Sequence, residues 1–369
     1  MEIFINMKKI LFICKGTLDK AVPIISIAQA LNAAGNVIEI ICSNISVELK
    51  NELIESGIKI LSLDMDETNS SNRLLEICGK LYYWSIFRWE TKKILTKKTP
   101  DLLYVATADT AIALRGVFSK HKYILHLREL HDEHPHYMRL LRKPAQHAHK
   151  VVVPEENRAY LYYNFLNLKN IPTVIPNKPF YHPRLAKMNI GFLEPEIQYK
   201  MRNKKNIIYQ GQIHIERNLA AFIKASVILA DYNIILMGKD FGLIDAYRKI
   251  NPDIIHIPFV RPPLHLNITS WAYMGVITYD FHSLNTIYCA PNKIWEFTGF
   301  NIPILGNLNP GIKYAIAQAK AGVLVNFEDE KAIIRGIRII EENYSQIQDY
   351  ANEFYNTINP DKINQLISK

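Results

Sequence analysis

The sequence predicts an α/β chain built from two doubly wound, Rossmann-like domains facing across a cleft. Short apolar runs suited to buried strands alternate with longer helical patterns, which is the sign of parallel sheets made from βαβ units. The series breaks at a segment containing Pro179, Pro183 and Pro195 among charged residues and then restarts. At 369 residues and 49% hydrophobic content, the chain can fill two cores of ordinary domain size.

In chain order, Lys9–Cys14 and Val37–Cys42 read as strands flanking a helix from about Val22 to Ala33 that stops before Gly35. Ile58–Leu63, Leu102–Ala106, Tyr123–Leu127 and Lys150–Val153 continue the first sheet. The first domain is thus expected over residues 1–178, a linker over 179–205 and the second domain over 206–369. Ile207–Gln210, Tyr232–Met237, Ile254–Ile257, Gly275–Thr278, Ile302–Leu305 and Val323–Asn326 supply the second sheet. Open sheets of this kind bind ligands outside the carboxyl ends of their strands. A single α/β domain with a long appendage is the architectural alternative.

The formal charge of +9 asks for an anionic partner. Lys and Arg are scattered in short clusters with neither an RNP-like aromatic motif nor a Cys/His finger, which argues against a nucleic-acid reader. Cys14, Cys42, Cys78 and Cys289 stand singly and form no C-x-x-C pair, so they read as reduced core thiols of a cytosolic protein. MEIFINMKKILFIC is a short apolar strand broken by Lys8 and Lys9, not a cleavable signal, and no run approaches a membrane span.

The densest chemistry lies in YCAPNKIWEFTGFNIPI, Tyr288 to Ile304. Pro291 suits a first helical position, because it has no N–H to leave unpaired. Outward-pointing N–H groups around Asn292, with Lys293 beside them, would seat a phosphate or diphosphate. Glu296 follows on the same face, at i+4 from Asn292 and i+3 from Lys293, where an ionised carboxylate can accept both hydrogen bonds of a ribose diol. The competing reading is a helix with a Lys–Glu surface pair.

This segment resembles the donor-binding helix of GT-B glycosyltransferases, particularly family 4 and related capsule and lipopolysaccharide enzymes, in which a Pro-Asn-Lys run precedes a Glu and a Gly-x-Pro turn. Asn301 stands where that glycine falls, and it can visit the left-handed conformation that closes a helix, with Gly299 sharing the task. Tyr288 replaces a second glutamate of the pattern. IYQGQIHIERNLAAFIKAS, Ile208–Ser226, resembles the family's strand, glycine loop and basic residue. Gly211 allows close backbone approach to a ligand, and Arg217 can grip a diphosphate with two parallel hydrogen bonds. Gln212 stands where the family has an arginine. The resemblance implies that the final helices cross back to the first domain.

In the first half, YILHLRELHDEHP, Tyr123–Pro135, resembles the Arg-Asp-Leu-Trp-Pro-Glu loop of some relatives, with Arg128, Glu129 and Leu130 on its stem. A carboxylate at a strand's carboxyl end could orient an acceptor hydroxyl or take its proton. Glu129 or His131 is the acceptor-side candidate, with Arg128 beside them; a structural Arg128–Glu129 pair is the alternative. Gly16, in the loop after the first strand, lies in the region that borders transferred sugar or acceptor in such enzymes.

Three other readings compete. His131, His134 and His136 with Asp132 and Glu133 are metal-capable but lack ordered spacing. Asp64 and Asp66 resemble the Asp-x-Asp signature of GT-A transferases, which hold a divalent cation on the donor. Lys15-Gly16-Thr17 lacks the Gly-x-Gly-x-x-Gly fingerprint of a nicotinamide enzyme. Separately, KLYYWSIFRWETKKILTKK, Lys80–Lys98, combines aromatics with cations, as a helix at an anionic membrane surface or a buried helix with snorkelling lysines would.

Together these features imply a glycosyltransferase that uses no cofactor and no metal, and the resemblance to family 4 implies that it retains anomeric configuration. It would move a sugar from a nucleotide-diphosphate donor to a hydroxyl of a glycan or lipid-linked glycan in surface polysaccharide biosynthesis. It would be cytoplasmic, at the inner face of the membrane, and would not bind nucleic acid. A non-catalytic GT-B-like subunit that binds nucleotide sugar and an epimerase of the same fold are the alternatives.

Overall fold

A computed structural model describes residues 7–65, 73–118, 120–217, 219–357 and 361–367. The chain forms two compact units, one of residues 1–180 with 360–369 and the other of residues 181–359.

The first unit holds a seven-stranded sheet of order β3-β2-β1-β4-β5-β6-β7, with every pair parallel. Its strands are β1 Lys9–Thr17, β2 Val37–Asn44, β3 Lys59–Ser62, β4 Leu102–Val105, β5 Tyr123–His126, β6 Lys150–Val153 and β7 Thr173–Val174. Ile10 to Ile13 are all buried, as a central parallel strand covered on both faces requires. The last helix, Asp361–Ile367, belongs to this unit, where Leu366 and Ile367 join the core around Phe12 and Ile24. Lys150 Nζ donates to the carbonyls of Gln365 at 2.9 Å and Leu366 at 3.0 Å, and Lys8 Nζ donates to that of Ile367. Lysines at a helix's carboxyl end satisfy its orphan carbonyls and oppose its dipole.

The second unit holds a six-stranded parallel sheet of order β10-β9-β8-β11-β12-β13. Its strands are β8 Lys205–Gln210, β9 Tyr232–Met237, β10 Ile255–Ile257, β11 Met274–Ile277, β12 Ile304–Asn307 and β13 Gly322–Val325. Strand order reverses between β1 and β4 in one sheet and between β8 and β11 in the other, and these reversals are where doubly wound sheets place their ligands.

Some details differ from the sequence reading. Residues 181–204 are not a free linker: they carry helix Pro195–Asn203, and Ile190 and Met201 are buried in the second unit's core. Ile302 lies outside β12 because the preceding helix uses it for its ending. Asn301 has φ +59°, its N–H bonds Thr298 O at 3.0 Å, and Ile302 N–H bonds Phe297 O at 3.0 Å, a Schellman closure. Gly299 does not share in it, since its missing Cβ instead makes room for the His182 ring, which would otherwise lie 2.5 Å away.

The GT-A alternative is not supported, because two Rossmann-like sheets account for the chain. Asp64 has φ +50° and accepts the Ser62 hydroxyl at 2.7 Å, while Asp66 lies outside the described residues. No described helix is long and apolar enough to cross a membrane.

Candidate functional site

Helix Lys293–Gly299 carries the Asn-Lys and Glu positions, starting with Asn292 as its cap residue rather than at Pro291. The carbonyl of Asn292 accepts the N–H groups of Trp295 at 2.9 Å and Glu296 at 3.1 Å. Ile294, Trp295, Phe297 and Thr298 point into the core, which leaves Lys293 and Glu296 on the other side. Trp295 stacks on Phe354 with ring centroids 4.8 Å apart, and Phe297 fills the space where a Cβ on Gly275 would stand. An aromatic anchor of this kind is worth about 3–5 kcal/mol against truncation, enough to hold the helix in register.

Lys293 reaches the glycine loop after β8. Its Nζ would be 3.0 Å from a Cβ on Gly211, which has φ +139°, so the loop tolerates only glycine there without displacing the ammonium. The same Nζ lies 4.3 Å from the Tyr209 ring centroid and 5.5 Å from that of Tyr279. Arg217 ends the turn Ile215–Arg217, and the neighbouring Glu216 carbonyl accepts the N–H of Asp280 at 3.0 Å. That bond ties the turn to the end of β11 and sets the Arg217 guanidinium 4.4 Å from the Tyr279 ring centroid. One aromatic ring therefore carries both cations. Burial, followed by the Arg217 charge, pushes the Lys293 ammonium down to about 7.

Glu296 lies beside them, its side chain 16% exposed. Burial alone would raise its carboxyl, but His265, Lys293 and His182 together outweigh that and hold it below the ordinary value. His265 Nε2 is 3.3 Å from Oε1, and the Gln210 amide donates to Oε2. His182 Nε2 is 3.1 Å from the backbone carbonyl of Glu296, and burial holds that imidazole down at about 4. Gly211, Arg217, Lys293 and Glu296 are thus brought together at the β8/β11 reversal, with Asn292 capping the helix that presents two of them. Arg217 is not committed to Glu216, whose carboxylate instead lies 3.7 Å from His214.

In the first unit the carboxyl ends of β1, β4 and β5 gather a second polar group. Gly16 has φ +112° and its N–H donates to Ser43 Oγ at 3.0 Å. The preceding Lys15, with its side chain 2% exposed, lies 3.5 Å from Asp109 Oδ2 and 5.1 Å from the ring centroids of both Tyr83 and Trp84. The Tyr137 hydroxyl donates to Asp109 Oδ1 at 2.5 Å, and the His131 ring is 4.4 Å from that of Tyr137. Burial lowers the His131 pKa, with Glu129 and Asp109 opposing. Glu129 is exposed, and its carbonyl accepts from Tyr162. Arg128 is half-buried with its Nε unpartnered, and its carbonyl accepts from Arg158. Among the described residues no ion pair joins Arg128 to Glu129, and no three metal-capable side chains gather into a site for an ion.

Tyr279, His265, Gln210, Asp109 and Tyr137 carry no motif signal. Each acquires its place through contacts tens of residues away in sequence, and only the position of Tyr279 and Gln210 at strand ends could have flagged them.

Solved glycosyltransferase structures of the GT-B fold match this pair of parallel-sheet units over nearly the whole chain. The sequence matches no protein-family model and no curated protein. Solved structures that share the fold include HepE from Anabaena in complex with UDP-glucose, at 14% identity and TM-score 0.71 over 98% of each chain. A glycosyltransferase from Rickettsia africae has 14% identity and TM-score 0.66, covering 98% of this chain and 97% of that one. The apo lipopolysaccharide outer core galactosyltransferase WaaB has 13% identity and TM-score 0.62, covering 97% and 99%.

Proposed function

We propose that this protein is a glycosyltransferase that takes a sugar from a nucleoside-diphosphate donor of the uridine type and passes it to a hydroxyl of a glycan or lipid-linked glycan. The observation that carries this reading is the pairing of Arg217 and Lys293 on the Tyr279 ring, beside the bare backbone of Gly211 and the carboxylate of Glu296. Two cations would bind the diphosphate and stabilise the charge that develops on it as it departs, an electrostatic task that side chains can perform without a metal. Glu296 would hold the pentose. The similarity to HepE, whose structures hold UDP and UDP-glucose, supports uridine diphosphate as the first ligand to test.

In the first unit, Gly16, Arg128, Glu129 and His131 are the proposed acceptor-side residues, joined by Asp109. Retention of configuration and a place in surface polysaccharide assembly follow from the family resemblance. Cys14, Cys42 and Cys289 are buried, whereas Cys78 lies on the exposed side of its helix and is not a core thiol; free thiols suit a reducing compartment. Helix Arg73–Lys97 buries Tyr83, Phe87, Thr91 and Leu95 along one stripe and exposes Leu81, Tyr82 and Trp89, each at least 60%, among Lys92, Lys93 and Lys97. Such a face suits an anionic membrane surface, where lipid-linked acceptors reside.

Gln212 favours a second reading, a subunit that binds nucleotide sugar without turning it over. It stands where the resembling enzymes have arginine, and an uncharged amide there supplies no cation to a diphosphate. Incubation of purified protein with UDP-glucose, UDP-galactose and UDP-N-acetylglucosamine, scored by UDP release, separates the two. Binding of UDP without release from any donor supports the subunit, and absence of UDP binding removes both.

A further inference from the structure

The Glu296 carboxylate is held at both of its oxygens before any ligand arrives. The Gln210 amide donates to Oε2, and His265 Nε2 stands 3.3 Å from Oε1. Gln210 is in turn fixed by Thr269, whose hydroxyl donates to Gln210 Oε1 at 2.7 Å within the core. This second bond sets the orientation of the amide, because it places the Gln210 oxygen on Thr269 and so leaves the NH₂ for the carboxylate. His265 and Thr269 share helix His265–Thr269 at i and i+4, one above the other on the same face. His265 Nδ1 is buried without a partner. An unpartnered lone pair there is cheaper than an unpartnered N–H, so of the two imidazole tautomers the geometry favours the one that carries its proton on Nε2, facing Glu296.

From this arrangement we infer that Gln210 and His265 are positioning residues that set the Glu296 carboxylate for a vicinal diol, making the site selective for a ribonucleotide over its 2′-deoxy counterpart. The inference rests on the donor reading given above. Each Glu296 oxygen keeps lone-pair capacity after accepting one protein hydrogen bond, so two hydroxyls can still be received. What the protein bonds remove is rotation of the carboxylate, the freedom that would otherwise be lost on binding. Neither residue need touch the nucleotide.

The test is isothermal titration of the full chain with UDP and with 2′-deoxy-UDP, read as the ratio of the two dissociation constants. A hydrogen bond to a charged group corresponds to a ratio of about 10 to 100 in the wild type. Gln210→Leu and His265→Leu are each expected to bring the ratio toward 1 by weakening UDP, leaving 2′-deoxy-UDP within about threefold of its wild-type affinity, the scale of measurement and minor repacking. His265→Gln, which can restore a donor near the Nε2 position, is expected to recover most of the ratio. Thr269→Val, a smaller perturbation, gives an intermediate value and serves if either leucine variant fails to fold.

Variants that keep the wild-type ratio, or that weaken both ligands equally, overturn the inference and leave the donor reading standing. A wild-type ratio of 1 overturns it by removing the pentose contact itself. If the wild type binds neither ligand, the uridine-type donor reading falls and this inference with it.

Discussion

Gly238 has no room for a side chain, because the Gly211 carbonyl oxygen occupies the place its Cβ would take. Gly238 itself has φ +147° and follows β9 as Gly211 follows β8, so two neighbouring strand ends meet as bare backbone. The Gly238 carbonyl is engaged by His256 Nε2 at 3.0 Å and cannot easily rotate away. Gly238→Ala should therefore push the Gly211 loop toward Lys293. A lower Tm of roughly 5–10 °C is expected from the strained backbone, with loss of most UDP affinity; calorimetry and circular dichroism on the same preparation check both.

Lys293 should make UDP binding depend on pH. Its ammonium is pushed from 10.5 to about 7 in the free protein, and a bound diphosphate would favour the charged form. Affinity should be nearly flat below pH 7 and fall by up to about tenfold per unit above it, with the slope absent in Lys293→Met. The stability effect has a defined sign. Between pH 7 and 10.5 the unfolded chain holds the proton that the folded chain lacks, so stability rises with pH across that window and Lys293→Met flattens the rise. Titration calorimetry and urea melts at several pH values measure the two effects.

Tyr279→Leu removes the ring shared by Arg217 and Lys293. Two cation–π contacts at about 0.5–1 kcal/mol each predict UDP binding weaker by roughly 5- to 30-fold. Tyr279→Phe keeps the ring and should bind within about threefold of wild type, as a hydroxyl deletion away from the quadrupole should. Equal losses in both variants would assign the effect to the hydroxyl.

The exposed face of helix Arg73–Lys97 predicts binding to phosphatidylglycerol vesicles that weakens with salt. Replacing Leu81 and Trp89 together with Glu puts charge where apolar area would insert and should lower the vesicle-bound fraction at least tenfold, given about 25 cal/mol for each Å² withdrawn from water. Cosedimentation measures this, and an unchanged fraction would remove the membrane contact from the proposal.

Much of the fold was legible because parallel strands buried on both faces must be continuously apolar, as ILFIC and IILM are. β7 was not legible, since Thr173–Val174 is too short to carry a pattern. The segment 179–205 looked like a linker because its prolines and charges hide Ile190 and Met201, whose burial depends on the distant partners of their core. In the site, Lys293 and Glu296 were readable from spacing along one helix, as was Asn301 from its tolerance of positive φ. The supports of those residues were not. His265 and Thr269 sit 31 and 27 positions before Glu296, and nothing in one strand or helix announces a hydrogen bond that bridges such gaps.

The helix at residues 361–367 sets an order on biogenesis. Leu366 and Ile367 complete the hydrophobic interior around Phe12, yet they are synthesised after the whole of the second unit. A ribosome that has delivered the first 180 residues has delivered an unfinished domain, whose apolar seat for that helix stays open while roughly half the protein is still being translated. Nascent chains of this protein thus present a sticky surface to chaperones until the last turn arrives, and fragments ending before residue 360 inherit the same defect permanently.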